Sequence, residues 1–166
     1  MSRGFVKEDD QEEVPFVPPR AFLPAGVTNY VTEKGLEALL AEREALNRER
    51  QQLESHNETD RRIAVNHINA KLALLEDRIR SARVIKLSDQ PQDEVRFGAT
   101  VVLRNQSTGE EQSLQITGVD EADISKGKLS FISPLAKALV NRKQGDIVRF
   151  KRAKDEVSYE VVVISY

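Results

Sequence analysis

The stretch LESHNETDRRIA, Leu53 to Ala64, separates two runs of residues with helical spacing. Upstream, Leu39, Leu46 and Leu53 recur every seventh residue, and Arg43 and Arg50 lie between them, where long stems cover apolar surface while charged heads stay wet. Downstream, Val65, Ile68, Leu72, Leu75, Ile79 and Ala82 alternate at steps of three and four, which sets them on one stripe. Only Ser55 to Thr59 lie between the stripes, and so short a connection returns the second helix antiparallel to the first. The fold therefore opens with a helical hairpin whose arms run about 22 to 25 residues, about 35 Å each. Thr32 suits the first N-cap, with Glu33 favouring the positive end of the helix.

After Ala82 the period shortens. VRFGATVVLRN, SLQITGV, KLSFIS, DIVRFKR and EVSYEVVVISY are short, β-branched and bounded by the turn signals STGEE, SKGK and RKQGD. They predict an antiparallel sheet. PLAKALVNRK interrupts it as one helix, with Pro134 at the first position, Leu135, Ala138 and Leu139 on one face, and Gly145 beyond the end. The fold class is α+β: an N-terminal antiparallel α-helical coiled-coil hairpin over residues 28–85, a linker over 86–94 and a small sheet domain with one helix over 95–166.

Residues 1–27 hold Pro15, Pro18, Pro19, Pro24 and the acidic run EDDQEE, a composition expected to stay extended. Two readings stand for this arm: a solvated tail, or an extended ligand in which Val14, Phe16, Val17, Phe22 and Leu23 dock on a partner or on this protein itself.

The 166 residues are 39% apolar and 31% charged, enough for a core and for much solvated helix surface. No apolar run reaches the roughly 20 residues of a membrane span, and the start carries no signal-peptide pattern, so the expected location is cytoplasmic. With no Cys, and with His56 and His67 alone, a zinc site is not expected. A net charge of −2 does not recruit nucleic acid by the field of the whole molecule. Seven Lys or Arg between Lys137 and Lys154 are a local exception, although strand alternation spreads them over two faces.

The motifs resemble those of the bacterial Gre transcript-cleavage factors, GreA and GreB. The resemblance rests on T-x-x-G-x-x-x-L-x-x-E at Thr32, Gly35, Leu39 and Glu42, ARVI at Ala82 to Ile85, FGATV at Phe97 to Val101, ITGVDEAD at Ile116 to Asp123, and SPLAKAL at Ser133 to Leu139. It implies a coiled coil followed by an FKBP-like domain, and RNA polymerase as partner. In that family the globular domain holds the rim of the secondary channel. The coiled coil reaches toward the active centre, where tip acids share a Mg²⁺ ion and the polymerase cleaves backtracked RNA near its 3′ end. Two-metal phosphodiester hydrolysis and partly hydrated carboxylate-bound Mg²⁺ make that chemistry sound.

The tip departs from the family pattern G-D-x-x-E-N-x-x-Y. Glu54, Glu58 and Asp60 are the candidates for a shared Mg²⁺, with Glu58 and Asp60 two apart in a loop and able to converge on one ion. The competing reading is capping: Ser55 with Glu58 has capping-box spacing, Thr59 or Asn57 suits the second N-cap, and Asp60 favours the first turn. Against the family, the span from the Thr32 motif to ARVI is short by about two heptads, which shortens the reach by about 10 Å.

Arg61 and Arg62 admit two readings, contact with RNA phosphates or solvated helix surface, whereas Arg48 pairs with Glu44 as an ordinary surface couple. Ile132, Ser133 and Pro134 stand where the resemblance implies polymerase contacts; Ser133 also suits a helix cap. Gly118, Asp120 and Glu121 read as shaping a turn. The expected function is a monomeric elongation factor, itself no enzyme, that binds RNA polymerase near its secondary channel and modulates elongation by stimulating cleavage. The alternative is a non-cleaving Gre-fold regulator that occupies the channel or rim. A prolyl isomerase, which wants an aromatic-lined pocket, and a coiled-coil oligomerisation module are the competing classes.

Overall fold

The structure is a computed structural model that describes residues 15–54 and 57–166. Two helices form the hairpin: α1 (Glu33–Gln51) and α2 (Glu58–Ser81). Thr32 caps α1 by accepting a hydrogen bond from the Gly35 amide, and Asn57 caps α2 by accepting from Thr59 and Asp60. Ser55 and His56, with the Ser55–Glu58 box expected there, lie outside the described residues, as does Val14.

At 19 residues α1 is shorter than the spacing predicted, because the chain leaves the helix at Gln52, two residues before the acidic stretch. The seam is otherwise built from the expected stripes. Leu39, Leu46, Ile68, Leu72 and Leu75 are buried together with Val31, while Leu53, Ile79 and Ala82 pack at the edges. Arg43 reaches Glu76 across the hairpin at 3.5 Å, and Arg50 donates to Asn69 Oδ1 at 2.8 Å, so these arginines cross-link the rod as well as covering it. Arg48 pairs with Glu44 at 3.0 Å.

Two short strands close the base of the hairpin. β1 (Asn29–Val31) and β2 (Ala82–Val84) pair in parallel, Asn29 opposite Ala82. Asn29 is buried and donates through its side chain to the Arg78 carbonyl and Ser81 Oγ, which satisfies the end of α2. ARVI is thus a paired strand. Residues 86–94 hold one 3₁₀ turn (Leu87–Asp89), and the Gln90 side chain donates to the Phe97 carbonyl at 2.8 Å, tying this segment to the domain that follows.

That domain is a five-stranded sheet in the order β5-β4-β3-β7-β6, from β3 (Thr100–Asn105), β4 (Glu111–Thr117), β5 (Lys128–Ser130), β6 (Ile147–Arg152) and β7 (Asp155–Ser165). The antiparallel expectation is corrected at one edge: β4 and β5 run parallel, joined by a connection that contains a 3₁₀ turn over Ile124–Lys126. The other pairs are antiparallel, with a bulge in β7 opposite Val102 and Leu103.

α3 (Pro134–Leu139) is only six residues long; Asn141, at φ 72°, adopts the left-handed conformation just after it, so VNRK is not helical. Ala136 and Leu139 join Val101, Leu103, Ile116 and Val161 in a core free of solvent.

Candidate functional site

Three places in this fold hold the candidate residues: the hairpin tip, the strand-to-helix junction before α3, and the joint where the hairpin base meets the sheet domain.

At the tip, Glu54 follows the end of α1, while Glu58 and Asp60 both lie in the first turn of α2. This corrects the loop expectation. Two residues apart on a helix, side chains do not face each other, so Glu58 and Asp60 do not converge on one ion. Glu58 lines a surface depression with Arg61, Arg62 and Val65, whereas Asp60 lines another with Leu53, Ile63 and His67. Among the described residues there is no group of three or more acidic, His or Cys side chains set to hold a metal. The described tip residues therefore offer no converging set that would hold Mg²⁺ without ligands from a partner. Both carboxylates instead sit by the positive end of α2, where they favour the helix. Arg61 and Arg62 are exposed on the same end of the rod.

At the junction, Ser133 accepts a hydrogen bond from the Ala136 amide at 3.3 Å and Pro134 opens α3, so the capping reading of this motif is realised. Pro134 is exposed, and Ile132 and Ser133 are half-buried beside it. The Phe131 and Ser133 amides donate to Thr117 and Ser130 carbonyls at 2.9 and 3.0 Å, which fixes the backbone leading into this corner.

At the joint, ITGVDEAD does more than turn the chain. Glu121 Oε1 accepts from the Thr32 hydroxyl at 2.5 Å, the same hydroxyl that caps α1, and Gly35 leaves the room this carboxylate needs. A side chain at Gly118 would meet the Tyr30 carbonyl at 2.5 Å, so only glycine lets β1 come so close. Asp120, with 7% of its side chain exposed, receives Arg20 Nε at 3.0 Å and lies 3.8 Å from Arg78 Nε. Tyr30, Phe97 and Phe131 pack ring to ring at 5.6–5.9 Å, joining hairpin to sheet. The T-x-x-G and G-V-D-E motifs that make these contacts are legible in the sequence only as separate signatures, because nothing in their spacing pairs one with the other.

On β6, Arg149 and Lys151 share one face and Arg152 lies on the other, all three exposed, with Val148 buried and Phe150 half-buried. Lys143 pairs with Asp93 at 3.8 Å. No helix of the described residues is long and apolar enough to cross a membrane.

Residues 90–166 match the family model for "Transcription elongation factor, GreA/GreB, C-term". The chain is 36% identical over 103 residues to the transcription elongation factor GreA of Bartonella henselae, a match covering 62% of this chain and 66% of that protein. It is 40% identical over 97 residues to GreA of Desulfovibrio desulfuricans, covering 58% of this chain and 60% of the relative. These matches span just under two thirds of the relatives' length. Among solved structures, a prokaryotic transcription elongation factor GreA/GreB from Nitrosomonas europaea is 22% identical with a TM-score of 0.42, covering 82% of this chain and 98% of that one.

Proposed function

We propose that this chain, whose residues 90–166 match the GreA/GreB C-terminal model and which is 36% identical to a GreA over 103 residues, is a cytoplasmic elongation factor of that family that binds RNA polymerase near its secondary channel and modulates elongation. The observation that carries this reading is the family match over residues 90–166, joined to a helical rod that ends in carboxylates and arginines. The exposed Pro134, with Ile132 and Ser133 beside it, is assigned to the polymerase-binding face, and Arg61 and Arg62 to phosphates near the RNA 3′ end. We assign the chain no catalytic residues of its own. Phe97 and Phe131, which a prolyl-isomerase pocket would need open, are taken up by Tyr30.

Of the two modes of action, the tip favours regulation by occupancy. Mg²⁺ sharing asks for carboxylates that converge with the polymerase's own ligands, and Glu58 and Asp60 lie on different sides of α2. The deciding experiment is RNA cleavage in artificially backtracked elongation complexes with the cognate polymerase. Wild type is compared with a Glu54→Ala, Glu58→Ala, Asp60→Ala triple variant at saturating concentration. Binding and altered elongation without stimulated cleavage by either form is the expected result. Cleavage stimulated by wild type and lost in the variant would instead make the tip acids ligands of a shared Mg²⁺, and absence of binding would overturn the assignment of the partner.

A further inference from the structure

The segment FVPPRAFL, Phe16 to Leu23, makes no regular backbone ladder, yet its burial has a period of three. Val17, Arg20 and Leu23 are half-buried, and Phe16, Pro19 and Phe22 point to solvent, the first and last with 86% and 76% of their surface exposed. Three residues per turn is the repeat of the polyproline II helix, which two adjacent prolines favour. One edge of this segment faces the body of the protein, and Arg20 is at its centre.

The Arg20 guanidinium engages two different parts of the molecule at once. Nη1 and Nη2 donate to the two carboxylate oxygens of Glu42 on α1 at 2.8 and 3.1 Å, a bidentate pair. Nε donates to Asp120 Oδ1 at 3.0 Å, in the connection between β4 and β5. Arg78 of α2 completes the arrangement: it reaches the same Asp120 carboxylate and donates to the Ala21 carbonyl of the arm. The arm, both helices and the sheet domain therefore meet through one set of charges. The Glu42 hydrogen bond, and then the Asp120 charge, hold the Arg20 pKa above its ordinary value against the opposing effect of burial.

We propose that residues 17–23 act as a strut in cis, seated between the hairpin base and the sheet domain, and that Arg20 is the positioning residue that fixes the direction of the rod. The consequence for tip placement rests on the polymerase-binding reading; the strut itself does not. Without Arg20, the charged tie from Glu42 to Asp120 is gone, while the contacts of Tyr30, Thr32 and Arg78 with the domain remain.

The chain contains no Cys, so nitroxide labels go on cleanly at Ala45→Cys in α1 and Gln112→Cys in β4, both exposed. Pulsed electron–electron resonance on the free protein should give one narrow distance distribution, which Arg20→Ala broadens or shifts. Arg20→Lys should fail to restore it, because an ammonium cannot make the bidentate pair and the third bond together. Removing residues 1–23 should reproduce the Arg20→Ala result. A distribution unchanged by Arg20→Ala overturns the proposal. As no polymerase is present, that outcome is separate from a failure of the functional reading, which the backtracked-complex experiment tests by itself.

Discussion

Tyr166 shows how much one side chain can hold. Its hydroxyl donates to the Glu94 carbonyl and accepts from the Arg96 amide, both at 2.7 Å, stapling the end of β7 to the segment that enters the sheet. Tyr166→Phe leaves both backbone groups without this partner and should cost about 1–3 kcal/mol in denaturant unfolding. Burial is the main cause that raises the Tyr166 pKa above the ordinary value of 10.0. A raised folded-state value means that the contribution is whole below pH 10.0 and is lost as pH rises through the folded pKa. Alkaline titration of stability should therefore be flatter in Tyr166→Phe than in wild type above that pH. At Gly118 the prediction is steric: Ala places a carbon 2.5 Å from the Tyr30 carbonyl, and the backbone shift it forces should cost about 1–3 kcal/mol, read as a lower unfolding midpoint.

At the level of elements, the hairpin and the sheet domain carry separate cores, so damage to one can be read independently of the other. Leu75 is fully buried in the seam, and Leu75→Ala should destabilise the hairpin by about 2–5 kcal/mol. Amide exchange would check this: protection in α1 and α2 should fall while that of β3 and β7, which belong to the other core, stays closer to wild type. Asn57→Ala removes the cap of α2 and should cost about 1 kcal/mol, visible as faster exchange of the Thr59 and Asp60 amides. The stripes that define both helices were readable because a helix repeats at 3.6 residues whatever it packs against. The parallel β4–β5 pair was not, because strand periodicity is the same for either direction and only the route of the connection decides it.

For the whole molecule, one chain satisfies its own seam, since α1 buries its leucines against α2. Light scattering should accordingly report the mass of a single chain, and an obligate dimer would show that the hairpin is opened and shared. The direction of the rod is a property of the joint, where Arg20, Tyr30 and the adjacent pair Asp120 and Glu121 come from three separate stretches of chain. ITGVDEAD is legible as a motif, but in sequence its acids read as turn formers, because the partners of Asp120 and Glu121 lie 100 and 89 residues away.

What the sequence by itself determined was local: heptad and three-four spacing made the two hairpin helices, Thr32 and Ser133 marked the caps of α1 and α3, and β-branched runs between glycine turns made the strands. Each follows from neighbours within a few residues, where sterics and hydrogen bonding act without regard to the rest of the chain. The tertiary structure decided the relations between elements. It paired β1 with β2, put Glu58 and Asp60 on a helix instead of a converging loop, and seated Arg20 between two carboxylates. Those outcomes depend on which surfaces meet across long sequence separations, and a charge pattern alone does not specify its partner.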